Sequence, residues 1–396
     1  MVILLVFGTG DGGSTPLGTI SFKGDFMETI LVTGVNTRAV ACSLKKLGYN
    51  VFSVDYFGVT DLENCADLSY SLMKQKAGVS CGYFQEDFNP LDLNKEALSL
   101  IDKVDGVICL SGSSPSDFPA HKVCGNRSPW EDKALLYRAL KDDFHLPLTY
   151  VPGSLEEARE ITLQCPDKKF ILKPKSGAGG YGVRVWDDPD QWPGGWILQE
   201  HLHGENISAS VLSTVEETRT IITSNQLVGE PTLGQKQPFG YAGNITPYCG
   251  PSDIVQLAER VVEFLGLLGS NGVDFIIKDG EIYILEVNPR IQGTFECVEK
   301  SLGINMAEAH MEACQGNMIS VPSPQKFAVK MVVHAPGRSN AGNMNVKGIH
   351  DLPLEGVIIE KGEPVATVLS SDNVKENAKY KARLLVNQVY GNLIPL

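Results

Sequence analysis

A lysine delivered by a strand into a run of glycines is the first arrangement in this chain that could do chemistry. In Phe170-Ile171-Leu172-Lys173-Pro174-Lys175-Ser176-Gly177-Ala178-Gly179-Gly180-Tyr181-Gly182-Val183, an apolar strand brings in Lys173, glycines follow, and a second strand resumes at Val183. Glycines let successive backbone N–H groups converge on phosphate oxygens, and the lysine supplies a point charge. The loop joins strand to strand and lacks Gly-Lys-Ser/Thr, so it is not the strand-to-helix loop of P-loop enzymes. Taken alone, the segment is also compatible with a glycine hairpin that binds nothing.

A second arrangement is acidic. Gly272-Val273-Asp274-Phe275-Ile276-Ile277 and Glu281-Ile282-Tyr283-Ile284-Leu285-Glu286-Val287-Asn288-Pro289-Arg290 read as two strands joined at Lys278-Asp279-Gly280. Glu286 and Asn288 are two apart and project from one strand face. Carboxylate and amide oxygens there suit a hard cation such as Mg²⁺, which keeps its other positions for water and phosphate. The bland alternative is an amphipathic hairpin with one polar face. Asp274 separates the two readings, because a plain two-residue turn sets it opposite Leu285, whereas a bulge or a longer turn sets it opposite Glu286. The metal reading therefore requires an irregular hairpin.

Between these features, Trp196-Ile197-Leu198-Gln199-Glu200-His201-Leu202 reads as a strand whose end can offer backbone and side-chain hydrogen bonds to a purine edge. Only its position gives it weight.

These pieces need a scaffold. Ile30 to Gly34, a helix carrying Ala39, Val40, Ser43, Leu44 and Leu47 and stopped by Gly48, and Val51 to Asp55 form a β-α-β unit of a parallel sheet. Gly106 to Leu110 adds a strand. The loop Gly34-Val35-Asn36-Thr37-Arg38 lacks the further glycines of a dinucleotide-binding turn, although Asp55 stands where such a fold places an acid. From Ser128 to about Ser323 we expect short strands, glycine loops and helices. After Pro324 come strand-like runs Ala328 to Val333 and Val357 to Glu360, the turn Lys361-Gly362-Glu363-Pro364, and a helix near Asn373 to Val389. The glycine run near the start is followed by Pro16 and Gly18, so residues before Met27 read as an extension or an upstream start.

The chain has 396 residues, 20% charged and 43% hydrophobic, and a net charge of -13. That charge argues against non-specific attraction to nucleic acid or anionic lipid. No run approaches the ~18 apolar residues of a membrane span. The nine cysteines are scattered without a Cys-x-x-Cys pair, which is poor evidence for a disulfide framework or a zinc site and fits a reducing cytoplasm.

In this order the features resemble the ATP-grasp superfamily, and more narrowly the ATP-dependent carboligases related to biotin carboxylase. The resemblance runs from about Met27 to the end. It includes Asp55-Tyr56-Phe57-Gly58 with Asp61, Asp132-Lys133, the glycine loop, Gln199 to Gly204, Glu286 to Arg290, and Lys361 to Pro364. It implies a fold of α/β and α+β character: an N-terminal extension over 1–28, a Rossmann-like domain over 29–126, an ATP-grasp domain over 127–323 with a mobile lid at about 147–202, and a small C-terminal domain over 324–396.

The resemblance also implies roles. Lys133 and Lys173 would contact ATP, with Gly177, Gly179 and Gly180 in the flap over its phosphates. Glu200 and Leu202 would hold adenine, and Asn206 or Glu205 the ribose. Asp274, Glu286 and Asn288 would bind Mg²⁺, with Mn²⁺ able to replace it, Asp274 standing where a glutamate is more usual. Arg290 and Lys173 are the catalytic candidates, Arg290 stabilising the transferring phosphoryl group. The implied enzyme is an ADP-forming carboxylate–amine ligase acting on small molecules, with a homodimer as the expected assembly. ATP makes the carboxylate an acyl phosphate, cations neutralise the charge in transfer, and a closed flap excludes water.

Two alternatives stay open. One is a biotin carboxylase-like enzyme that phosphorylates bicarbonate. The other is a nucleotide-binding regulatory module without catalysis, against which Glu286, Asn288 and Arg290 together count. Ala328-Val329-Lys330-Met331 is a poor biotin-attachment site, since valine precedes the lysine within a strand. Gly234 to Asn244 is expected to line the acceptor side.

Overall fold

The computed structural model describes residues 28–81, 89–177, 179–187, 192 and 194–396. The expected extension over 1–28 lies outside these residues except for Glu28.

The first unit is a four-stranded parallel sheet, ordered β3-β2-β1-β4. Its strands are β1 (Thr29–Gly34), β2 (Asn50–Asp55), β3 (Leu68–Ser71) and β4 (Gly106–Cys109). β1 is apolar on both faces because helices cover both. Ile30 and Val32 pack against Val40, Ala41 and Leu44 of α1 (Arg38–Lys46). Leu31 points the other way, to Leu93 and Ala97 of α2 (Pro90–Leu98). This is the continuous hydrophobic pattern of a buried parallel strand.

Asp132 then caps α3 (Lys133–Leu140), accepting from the N–H groups of Ala134 and Leu135, so the helix begins at Lys133. A small antiparallel sheet follows, ordered β5-β8-β6-β7: β5 (Thr149–Tyr150), β6 (Phe170–Pro174), β7 (Arg184–Val185) and β8 (Trp196–Glu200), with α4 (Leu155–Gln164) between its first two strands. Phe170, Leu172 and Leu198 form its own core.

The third sheet has eight strands, in the order β13-β12-β9-β10-β11-β14-β18-β16. It uses β9 (Glu205–Ser213), β10 (Thr218–Val228), β11 (Tyr241–Thr246), β12 (Gly269–Lys278) and β13 (Glu281–Asn288), with α5 (Asp253–Phe264), α6 (Phe295–Leu302) and α7 (Met306–Cys314) in the same stretch. The expectation of short strands here is corrected: β9, β10 and β12 have 9, 11 and 10 residues. Ser208 and Ser210 alternate with apolar residues along β9, and polar residues or glycines interrupt β10 and β12, a pattern that hides long strands from a reading tuned to apolar runs.

Beyond residue 323 lie β14 (Phe327–His334), β15 (Ser339–Ala341), β16 (Ile349–His350), β17 (Ile358–Ile359), β18 (Pro364–Asp372), α8 (Lys375–Gly391) and β19 (Leu393–Pro395). β14, β18 and β16 extend the eight-stranded sheet, while β17-β15-β19 form a separate three-stranded one. α8 lays Ala378, Ala382, Val386 and Val389 on this layer, a stripe at helical spacing. Among the described residues, no helix is long and apolar enough to cross a membrane.

Buried charge joins the first unit to the last. Arg38 of α1 donates to Asp351 at 2.8 Å and to Glu296 at 2.8 Å, and Lys330 reaches Glu296 at 2.9 Å. Asp61 accepts from the backbone N–H groups of Asp351 and Leu352 at 3.0 and 2.8 Å. Spacing suggested no cysteine pairing, but Cys42 of α1 and Cys65 form a disulfide. The fold carries them together from opposite ends of β2, a proximity that spacing rules do not encode.

Candidate active site

The β12–β13 hairpin turns tightly through Asp279 and Gly280, both at positive φ, with Lys278 paired to Glu281. Pairing runs evenly to Phe275 opposite Ile284 and then shifts, so Leu285 is bulged and Asp274 stands opposite Glu286. The hairpin is thus irregular in the way the metal reading requires. On its other side Asp274 pairs with Ser208 of β9. Two residues earlier on β12, Gly272 makes room for the Gln292 side chain, whose amide nitrogen would lie 1.5 Å from a Cβ there.

The two acids sit in an asymmetric field. Burial first, and Glu286 second, push Asp274 up to about 6, against hydrogen bonds from Ser208 and Asn288 and the charge of Arg290. Burial would also raise Glu286, but the charges of Lys133, Lys173 and Arg290 hold it below its ordinary value. Lys133 Nζ lies 3.0 Å from Glu286 Oε1 and also donates to the Gly177 carbonyl at 3.0 Å. Lys173 points into the same space from β6. Burial lowers it to about 8, with Glu286 pulling it back up and Lys133 pushing it further down.

The amides and the arginine complete the floor. Asp274 accepts from Gln226 Nε2 at 3.0 Å and from Asn288 Nδ2 at 3.1 Å. Arg290 donates to Asn288 Oδ1 at 3.0 Å and, through Nε, to Glu131 at 2.7 Å. The donor set fits a hard divalent cation. Two carboxylates face each other across one strand pair, and their mutual repulsion would be relieved by a 2+ charge between them. Among the described residues, no group of three His, Cys, Asp or Glu side chains gathers to hold a metal. The set is therefore two acids and an amide, which leaves coordination places for water and phosphate.

The glycine loop closes over this floor. Gly179, Gly180 and Gly182 have positive φ. The Gly179 carbonyl accepts from the Tyr241 N–H at 3.0 Å, and a Cβ on Gly180 would sit 1.7 Å from the Phe239 carbonyl oxygen. Only a glycine permits that approach. Glu200 ends β8 with its carboxylate on Lys168 Nζ at 2.6 Å, and Phe239 packs edge-on to the His201 ring.

Together these elements enclose a cleft of about 470 Å³. It brings together Lys133, Lys173, Gly177, Gly179, Gly180, Glu200, Leu202, Asn206, Asp274, Glu286, Asn288 and Arg290, but not Glu205, the alternative ribose candidate, which accepts from the Tyr248 hydroxyl at 2.7 Å instead. Ser208, Gln226 and Gln292 line it too, and sequence reasoning passed over them. A signal existed for the first: Asn206, Ser208 and Ser210 alternate along β9 with Ile207, Ala209 and Val211, which are buried in the core. Nothing local marked Glu131, whose role emerges only from its contact with Arg290.

The glycine loop, the acidic hairpin and the end of β8 thus frame a single cleft. Residues 130–294 match the ATP-grasp domain family. An uncharacterized protein of Methanocaldococcus jannaschii is 32% identical over 376 residues, covering 91% of this chain and 90% of its own. A formate-dependent phosphoribosylglycinamide formyltransferase of Sulfurisphaera tokodaii is 25% identical, over 67% of this chain and 71% of its own. The biotin carboxylase of Campylobacter jejuni shares the fold at a TM-score of 0.70 and 13% identity, over 93% of this chain and 92% of that one. The chain belongs to the ATP-grasp family.

Proposed function

We propose that this protein is an ATP- and Mg²⁺-dependent ligase that phosphorylates a carboxylate and joins it to an amine or similar nucleophile. The observation that carries the reading is the bulged hairpin, which sets Asp274 against Glu286 beneath a lysine-flanked glycine flap. A relative whose name pairs formate with phosphoribosylglycinamide supports a carboxylate and an amine as the reactants.

In this reading a carboxylate oxygen takes the γ-phosphoryl group of ATP, releasing ADP. The amine nitrogen then attacks the acyl carbon, inorganic phosphate leaves with the transferred oxygen, and one proton is lost. Asp274, Glu286 and Asn288 would hold Mg²⁺, which supplies charge neutralisation at the phosphates. Lys133, in place of its present contacts with Glu286 and Gly177, and Lys173 would bind phosphate oxygens. Arg290, oriented by Glu131, faces the charge that develops on the transferring group. The flap, pinned at Gly179 by the Tyr241 N–H, keeps water from the acyl phosphate. Glu200 and Leu202 at the end of β8 would hold adenine, and Asn206 the ribose. A cytoplasmic homodimer belongs to the same reading, and sedimentation of the purified protein tests the assembly.

The test is an ADP-release screen with Mg²⁺ and ATP against pooled carboxylic acids, with and without pooled amines, using wild type and Glu286→Ala. Acid-dependent release that disappears in the variant supports the ligase. Turnover with bicarbonate and biotin alone would replace it with the carboxylase reading. Tight ATP binding with no turnover in any pool would leave a non-catalytic module.

A further inference from the structure

A second cavity, of about 170 Å³, lies where the first unit meets the C-terminal strands, and Tyr241 lines both it and the nucleotide cleft. Its walls include Phe57, Met73, Val332, Ile359 and Val365. The volume is on the order of the ~150 Å³ that accommodates one benzene ring. It is large enough to take one six-membered ring.

Three charged side chains line it. Lys330 is neutralised by Glu296 at 2.9 Å, and Asp351 by Arg38 at 2.8 Å. Glu363 is different. It is only 6% exposed, its Oε2 accepts from the Glu360 N–H at 2.7 Å, and among the described residues its Oε1 has no hydrogen-bond partner. Buried carboxylate oxygens without donors are rare, and each calls for an explanation. Burial pushes this carboxyl up to about 7, against the hydrogen bond from Glu360.

The turn that carries Glu363 is built into the site's surroundings. Backbone bonds between Gly362 and Ala335, and between Ala335 and Glu363, hold it at 2.7 and 2.9 Å. Lys236 donates to the Lys361 carbonyl at 3.0 Å, and Lys236 belongs to the loop that leads through Phe239 and Tyr241 to the glycine flap.

We propose that this cavity binds the amine substrate: a primary ammonium donating to Glu363 Oε1, on a ring-sized apolar body packed against Phe57, Val332 and Val365. The inference rests on the ligase reading for the amine's fate, but not for its binding. Tyr241 is then the wall across which the amine meets the activated carboxylate.

The experiment is calorimetric titration of the full chain with 2-phenylethylamine and, as a same-sized anion, 3-phenylpropionate. Wild type, Glu363→Gln and Val332→Phe are compared, and stabilisation by Mg²⁺–ATP serves as the fold control. The proposal expects 2-phenylethylamine to bind wild type, to weaken about tenfold or more in Glu363→Gln, and to be excluded when the Val332→Phe ring fills the cavity. It is overturned if the amine does not bind, if both variants bind it as wild type does, or if the anion binds as well as the amine. Should Glu363→Gln fail to fold, Val332→Phe decides alone. Loss of the Mg²⁺–ATP effect in wild type would sink the ligase reading while leaving Glu363-dependent amine binding standing.

Discussion

Asp274 stands directly across the β12–β13 ladder from Glu286, and it does so because Leu285 bulges out of register between them. The arrangement places two carboxylates on one face, where burial and their mutual repulsion leave Asp274 titrating near 6. An acid raised above its unfolded value stabilises the fold most at low pH, and that stabilisation fades as pH rises through about 6. At pH 7.5 without metal, Asp274→Asn should therefore be more stable than wild type, by on the order of 1–3 kcal/mol, while its ligase turnover is lost. Urea unfolding of both proteins with and without Mg²⁺–ATP checks this. A destabilised variant would mean that the pair is not strained.

Lys173 titrates near 8, so its positive charge is present at neutral pH and fades above. The free enzyme's kcat/KM for ATP should fall through a limb close to pH 8 as the phosphate-binding charge disappears. Lys173→Arg keeps its charge and should lack that limb. Lys173→Met should lose about 100-fold in kcat/KM. An unchanged profile in Lys173→Arg would assign the limb elsewhere.

Gly180 and Gly179 both have positive φ, but only Gly180 presses on a neighbour, 1.7 Å from the Phe239 carbonyl oxygen to a would-be Cβ. Gly179→Ala carries backbone strain alone, about 1 kcal/mol. Gly180→Ala must also push the flap off the Phe239–Tyr241 segment, and a misplacement of this kind costs about 10- to 100-fold in kcat/KM. Kinetics with melting curves on both variants make the comparison, and equal losses would show that the flap contact is immaterial.

Arg38 is buried against Asp351 and Glu296, far from it in the chain. Arg38→Met leaves Asp351 without its cation and Glu296 with Lys330 alone, and should destabilise the fold by about 3–5 kcal/mol. Denaturant titration measures it. A loss below 1 kcal/mol would show that Lys330 alone satisfies Glu296.

The glycine loop and the acidic hairpin were legible because their chemistry is local. Lys173 and the glycines are contiguous, and Glu286 and Asn288 share a strand face by period alone. The need for an irregular hairpin could be argued from register before any coordinates. What the residues did not announce was adjacency across strands. Gln226 and Ser208 meet Asp274 only because β10 and β12 flank β9, and Glu131 meets Arg290 only through the placement of α3. The Arg38–Asp351 contact and the Cys42–Cys65 bond depend on how distant segments dock. The continuity of β14 and β18 with the main sheet is likewise a property of pairing, to which composition is blind.

If a carboxylate is activated by phosphoryl transfer, one of its oxygens must leave in the phosphate, and isotope tracing follows that atom. With the acid found by the screen labelled in its carboxylate with ¹⁸O, the product phosphate is read by ³¹P NMR. One ¹⁸O should appear in each inorganic phosphate formed, with no transfer by Glu286→Ala. ADP and product formed with unlabelled phosphate would contradict it.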